Sequence, residues 1–396
     1  MNILFIHKDF PGPFGNLATE LANDPNNKVF FITCQHSGQI DGINKMIYEL
    51  KKSVPQDCHD YLVEHEEALI HAQAVADIAR AFKIKEFKFD VIYTQAFGPG
   101  LFIKYIFGDT PVILYGDWYN RVSGVDIGFD GNVPDINYQA EVRCSNSCML
   151  IDLYSCQGCV VRSEWQKRQF PKGFYDKIKV IPEEIDTDFF KPADNVEFLG
   201  LTAKDEVITY ASRGLEPYHG FGQFMEAVSI LLKKRPNAHI IIAGKDKVFC
   251  RPELFDEKYK ETVLGKFELD MNRVHFTGFL PRDEYLKLLQ ISSVHVHLTY
   301  PYIPSKTLLE AMSAGCCIVA SNTPPVLEIV KDNCNGILTD FFNVGQIAEK
   351  IEYALENKEK TQDLRTNARK TVIENYSVSK TLPFHVEYVK SVKCEK

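Results

Sequence analysis

The chain has 396 residues, a formal net charge of −8, 45% apolar residues and 25% charged residues. That length exceeds one ordinary hydrophobic core and fits two domains of about 180 to 200 residues with globular composition. The acidic balance excludes a general attraction to nucleic acid or anionic lipid, leaving at most peripheral membrane association through a local patch.

The opening run, Asn2 to His7, is a short apolar strand that meets charge at once in Lys8 and Asp9, unlike a secretory leader. No stretch approaches the ~20 apolar residues that span a bilayer. A soluble, cytoplasmic protein is the expectation. Further strands are predicted at Lys28–Thr33, Asp90–Gln95, Pro111–Gly116, Gly158–Ser163 and Lys179–Pro182, with helices including Phe14–Ala22 and Glu66–Phe82. Most of these strands are continuous apolar runs, as parallel strands covered on both faces require. The alternation describes a doubly wound α/β sheet.

The pattern then restarts at Val207–Ser212, His239–Gly244, Val274–Phe279, Val294–Leu298, Cys317–Ser321 and Gly336–Thr339, with helices at Phe221–Lys234 and Asp283–Ile291. Asp186 to Lys204 reads as the hinge. The tail from Lys358 is helical and charged. Cys144-x3-Cys148 and Cys156-x2-Cys159 have metal-like spacing, but no histidine lies beside them and the second pair enters an apolar strand, so they read as buried thiols with no metal.

Three loops carry chemistry. After the first strand, Gly12 and Gly15 permit close backbone approach ahead of a helix N-terminus. Arg213 stands just past a strand of the second half, where α/β sheets bind ligands, and a guanidinium there grips a diphosphate bidentately. Lys245 ends the next strand in a Gly-Lys turn. The third loop, Pro301-Tyr302-Ile303-Pro304, feeds a helix opening with Ser305, Lys306, Thr307 and Leu308 and carrying Glu310 a turn further in. A helix N-terminus binds anions through its free N–H groups and dipole. The carboxylate then lies within reach of hydroxyls beside a bound phosphate. The G-x-G-x-x-G dinucleotide fingerprint is absent, which disfavours a nicotinamide-linked oxidoreductase.

The third loop resembles the donor-binding loop of the family 4 glycosyltransferases, retaining enzymes of the GT-B fold. The resemblance runs from the first strand to at least Glu328 and is strongest in Ser212–Gly244 and Phe279–Val330. Length and starting sequence also resemble sugar transferases of large viruses of chlorella-like algae, which implies a host cytoplasm. The resemblance implies two Rossmann-like domains, at 1–190 and 191–376, with a last helix at about 377–396 packing back on the first. Glu310 matches the glutamate that holds the ribose hydroxyls, whereas Tyr302 replaces the family's other glutamate. His219 stands where a lysine usually partners Arg213, so the second cation is His219, Lys245 or Lys306. Phe279 falls in the segment whose backbone meets the nucleobase. Gly12 and Gly15 border the donor phosphates, Asp117 lies near the sugar, and Arg143 and Asn146 fall on the acceptor side. The implied activity is hexose transfer with retention, from GDP-mannose or UDP-glucose to a glycan, glycoprotein or lipid-linked acceptor, with no cofactor or metal required. Asp186-Thr187-Asp188, a potential metal triplet, is read as structural. A GT-B epimerase and a protein that only binds nucleotide sugar are the rival readings.

Overall fold

The computed structural model describes residues 1–122, 125–252, 255–256 and 258–392. The chain divides into two compact units, Met1–Pro182 with Thr381–Lys396, and Glu183–Lys380.

The first unit is built on strands β1 (Asn2–Ile6), β2 (Lys28–Thr33), β3 (Ile43–Ile47), β4 (Val91–Gln95), β5 (Val112–Tyr115), β6 (Gly158–Val161) and β7 (Ile178–Val180). They form one parallel sheet in the order β3-β2-β1-β4-β5-β6-β7, with Ile3 opposite both Val29 and Val91. Its helices are α1 (Gly15–Asn23), α2 (Val63–Ile84), α3 (Ile103–Ile106), α4 (Ile136–Ser155) and α5 (Glu164–Gln169). Alternate strand residues face opposite layers. Leu4, Ile92 and Leu114 pack with Val75 and Ala79 of α2 and Met149 and Leu153 of α4. Phe5, Phe31 and Tyr93 instead gather around Phe14, with ring centroids 4.7–6.3 Å apart where they meet. Burying each such side chain contributes roughly 1.5–3 kcal/mol.

The second unit opens with a two-stranded antiparallel hairpin, β8 (Glu197–Phe198) and β9 (Leu201–Thr202). Its main sheet comprises β10 (Glu206–Gly214), β11 (Ala238–Lys245), β12 (Val274–Gly278), β13 (Val294–His297), β14 (Ile318–Ser321) and β15 (Ile337–Thr339). These strands are parallel, in the order β12-β11-β10-β13-β14-β15. Helices α6 (Phe221–Lys234), α7 (Tyr259–Leu264), α8 (Arg282–Gln290), α9 (Lys306–Ser313), α10 (Pro324–Leu327), α11 (Val344–Glu356) and α12 (Lys358–Asn375) complete it. The amphipathic stripe expected of α6 is buried through Phe224, Val228, Leu231 and Leu232.

A final helix, α13 (Val378–Ser391), carries the chain back into the first unit. There His385 Nε2 lies 3.0 Å from Tyr93 Oη, and the Tyr388 hydroxyl occupies the space above Gly158.

Strand β3 and helix α4 are among the elements that were not predicted. Strand β3 carries Asn44 and Lys45 at the sheet's edge and lacks an apolar run. Helix α4 buries Ser145, Asn146 and Asp152 alongside Val142 and Met149, so its inner face shows no apolar stripe.

A Cβ on Gly158 would lie 2.0 Å from the Tyr388 hydroxyl and 3.2 Å from its Cζ. Gly158→Ala should therefore destabilise the protein by about 1–3 kcal/mol, the usual range for overpacking. Adding Tyr388→Phe should recover most of the loss in chemical denaturation. An uncorrected double variant would show that α13 does not pack there.

Candidate active site

In the second unit β11 and β12 are laid on one side of β10 and β13 to β15 on the other, so the strand order reverses between β10 and β13. Open α/β sheets bind ligands outside the carboxyl ends of the strands at such a reversal. The end of β10 and the loop after it hold Arg213 to His219, and the loop after β13 holds Leu298 to Ser305.

Strand β10 ends in a bulge: its register against β11 shifts between Ala211 and Gly214, and Gly214 pairs with Lys245. A bulge re-aims the side chain it carries. Only glycine fits at the close approach, because a Cβ on Gly214 would lie 2.3 Å from Lys247 O. Arg213 is exposed, its guanidinium 4.1 Å from the Phe249 ring centroid in a cation–π arrangement. Lys245, exposed at the end of β11, holds its ammonium 5.4 Å from the ring of Phe279, which is 71% exposed.

Beneath Arg213 lies a carboxylate that the sequence did not single out. Glu216 is 0% exposed. Its Oε2 accepts from the backbone N–H groups of Phe249 (2.6 Å) and Cys250 (2.8 Å). Its Oε1 is 3.3 Å from His219 Nε2. Burial holds the His219 imidazole below its ordinary pKa; Glu216 opposes that shift and Arg213 adds to it. Its lowered pKa makes His219 a weaker fixed charge than Lys245 or Lys306, the other cations that could partner Arg213.

The two loops are joined. Tyr300 donates its N–H to Tyr218 O at 2.8 Å, and the Tyr218 ring stacks on Tyr300 (4.7 Å) and meets Tyr302 edge-on (5.8 Å). Tyr302 therefore acts as an aromatic wall where an acidic side chain was the family expectation.

Helix α9 starts beyond this wall. Ser305 is its N-cap residue, but no side chain caps the first N–H groups. The Ser305 hydroxyl lies 2.6 Å from Thr307 Oγ1. The Leu308 side chain is buried in the core, so only its backbone can face a ligand. Lys306 is half exposed, 3.9 Å from Glu183. Glu310 sits a turn in, and burial pushes its carboxyl up to about 7, with Lys306 and Arg282 pulling it down and Glu183 pushing it up. Arg282 stacks on Phe189 (4.0 Å) and pairs with Asp186 at 3.0 Å. Asp186 also accepts from Phe189 N–H, giving the Asp186-Thr187-Asp188 triplet a tie within the unit.

The first unit holds the remaining candidates. Gly12 has φ +53° and packs so tightly that a Cβ would sit 2.6 Å from His7 Nδ1. Gly15 opens α1, whose N-terminus has no side-chain cap. Asp117 follows β5, its backbone carbonyl accepting from Gln166 Nε2. Asn146 is buried and committed to the backbone of Asn120, while Arg143 is exposed.

Comparison with known proteins agrees with this geometry. Residues 25–190 match the model of the glycosyl transferase family 4 group, and residues 193–371 match that of the glycosyl transferases group 1. Both units are thus glycosyltransferase domains. Two curated relatives illustrate the similarity. An uncharacterized glycosyltransferase of Methanocaldococcus jannaschii is 30% identical over 211 residues, 51% of either chain. The alpha-D-kanosaminyltransferase of Streptomyces kanamyceticus is 24% identical over 206 residues, 49% of either chain. The match spans about half the length of these relatives. Among solved structures, HepE of Anabaena in complex with UDP and glucose aligns over 99% of this chain and 100% of its own, with TM-score 0.70 and 18% identity. A sucrose-phosphate synthase of Thermosynechococcus elongatus aligns over 98% of either chain, with TM-score 0.71 and 14% identity. These likenesses establish the fold as GT-B.

The raised Glu310 carboxyl predicts a pH signature. The folded protein holds this proton more tightly than the unfolded chain does. Its contribution to stability is therefore full below the ordinary glutamate range and is lost as pH rises through about 7. Glu310→Gln should accordingly melt higher than the parent at pH 8 and close to it at pH 4.5. An equal difference at both pH values would contradict a buried, raised carboxyl.

Proposed function

We propose that the chain is a retaining glycosyltransferase that moves a hexose from a nucleoside-diphosphate sugar to a glycan, glycoprotein or lipid-linked acceptor. The observation that carries this reading is the uncapped N-terminus of α9 at the strand-order reversal, with Glu310 one turn in and Arg213 at the end of the strand beside β13. The diphosphate would lie on the α9 N–H groups, where anions gain from the helix dipole. Glu310 would accept from the ribose hydroxyls, and the exposed Phe279 segment would border the base. The UDP and glucose held by HepE support a uridine-diphosphate hexose as the first donor to try, with GDP-mannose next.

Cleavage of the anomeric bond gathers negative charge on the departing diphosphate. Arg213, with Lys245 or Lys306, would stabilise that charge, and fixed donors of this kind act without reorganisation during the reaction. Protein cations then fill the role a divalent ion plays elsewhere. The resemblance implies attack from the face that the leaving group vacates, with retention. Asp117 is proposed near the transferred sugar. Binding without transfer is the second reading, favoured by His219 facing Glu216 and by the Tyr302 ring at the position of the family's other glutamate.

Incubation with a panel of sugar nucleotides in EDTA tests the proposal. Slow release of one nucleoside diphosphate is expected, abolished by Arg213→Ala, with NMR of the transfer product showing the donor's anomeric configuration. Cleavage only with added divalent ion would contradict the protein-cation mechanism, an inverted product would reject retention, and nucleotide binding without cleavage or transfer would select the second reading.

Nucleotide affinity gives a separate check. Glu310→Ala should weaken UDP binding by roughly 10- to 150-fold, the loss of a charge-assisted hydrogen bond worth about 1.5–3 kcal/mol. Parent affinity should also be lower at pH 6 than at pH 8, because the carboxyl titrates at about 7. Unchanged affinity in the variant would put the ribose elsewhere.

A further inference from the structure

A cavity of about 600 Å³ opens in the first unit, where the loop after β5 meets α4 and the end of α5. None of the residues assigned above to the nucleotide lines it. Its loop wall is firmly held. Asn146 accepts from the Asn120 N–H through Oδ1 at 3.0 Å and donates to Asn120 O at 2.8 Å. Asn120 in turn donates its side-chain amide to Ser145 Oγ at 3.1 Å. A wall fixed by three hydrogen bonds at one residue is preorganised for a ligand.

The charge in this cavity has one sign. Arg121 and Arg143 are the charged residues of its lining, with no carboxylate among the described residues there. Arg121 is already committed, donating to Gln169 O and Arg168 O at 3.0 Å each. Arg143 makes no hydrogen bond or ion pair among the described residues and keeps its planar set of donors available. Such a guanidinium matches the two oxygens of a carboxylate or phosphate.

The α4 wall also carries apolar side chains, Ile136 and Ala140, with Gln139 between them. Ile136, Ala140 and Arg143 recur at helical spacing and line the cavity together. Ile136 is 74% exposed and Val133, just before the helix, is 85% exposed. A hydrogen bond of 2.8 Å from Tyr61 Oη to Asn137 Oδ1 brings the exposed Leu62 and Val63 segment to the same end of α4. Apolar side chains at Ile136 and Ala140, beside a single available cation and near the exposed residues at the start of α4, fit a ligand that is apolar at one end and anionic at the other.

We propose that this cavity is the acceptor site and takes an acceptor bearing a phosphate or carboxylate on an apolar body. Arg143 holds the oxyanion, and the Ile136 face receives the apolar part. The word acceptor rests on the transferase reading, whereas the binding chemistry does not.

Calorimetric titration of the full chain tests the binding with four probes: octyl phosphate, octanoate, inorganic phosphate and octyl glucoside. At least one of the two anionic amphiphiles should bind tenfold or more tightly than both inorganic phosphate and octyl glucoside, and the stronger of the pair names the oxyanion. Arg143→Gln should weaken that binding by tenfold or more while leaving UDP affinity unchanged, and Arg143→Lys should restore part of it. The exposed position of Arg143 makes both variants safe for folding. Failure of both amphiphiles to bind, equal binding of inorganic phosphate or octyl glucoside, or indifference to Arg143→Gln would overturn the proposal. Loss of UDP binding in the parent would strike the transferase reading alone, because the amphiphile titrations stand without it.

Discussion

The donor-site reading depends on a helix that is held at one end and open at the other. The last carbonyls of α9 and of the turn after it are met by guanidinium groups from α12. Arg369 donates to Ser313 O and Arg365 to Gly315 O, the latter at 3.2 Å. Arg369 also reaches Phe190 O at 2.9 Å, and the Ser313 hydroxyl donates to the same carbonyl. Cations at a helix C-terminus satisfy orphan carbonyls and complement the dipole. With Leu308, Leu309, Ala311 and Met312 buried, the helix is fixed along its length. Its N–H groups, left uncapped by any side chain, then present a preorganised anion site whose ordering cost was met during folding.

A second chain of contacts fixes the charge at the end of β10. Arg213 is exposed, and an exposed arginine has many rotamers, so its position needs support. The Phe249 ring supplies it, and Phe249 is held in turn by the backbone hydrogen bonds that Glu216 accepts. A fully buried carboxylate survives only when such donors compensate its desolvation. Glu216 thus ties down the backbone of Phe249 and Cys250, and His219 Nε2 lies 3.3 Å from its other oxygen.

Much of this was legible in the sequence. The apolar runs that became β1 and β10 announce themselves, since parallel strands covered on both faces need no alternation. The α9 segment could be read because its loop, its first-turn hydroxyls and its acid are contiguous. What escaped depends on distant partners. Glu216 gains its role from amides 33 and 34 residues away, and the lowered pKa of His219 follows from burial that no local pattern records. Helix α4 hid because Asp152 faces inward. Burial pushes its carboxyl up to about 8, so near neutral pH it packs largely as an uncharged group where sequence shows a charge. Strand β3 hid for the opposite reason, being polar because it forms an edge.

The central claim is that a nucleoside diphosphate sits at the β10–β13 reversal against the start of α9. Amide hydrogen exchange of the full chain, with and without saturating UDP, tests it most directly. Protection is predicted in residues 299–310 and around 213–219 and 245–250. Protection absent from all of these, while UDP binds and slows exchange elsewhere, would contradict the account.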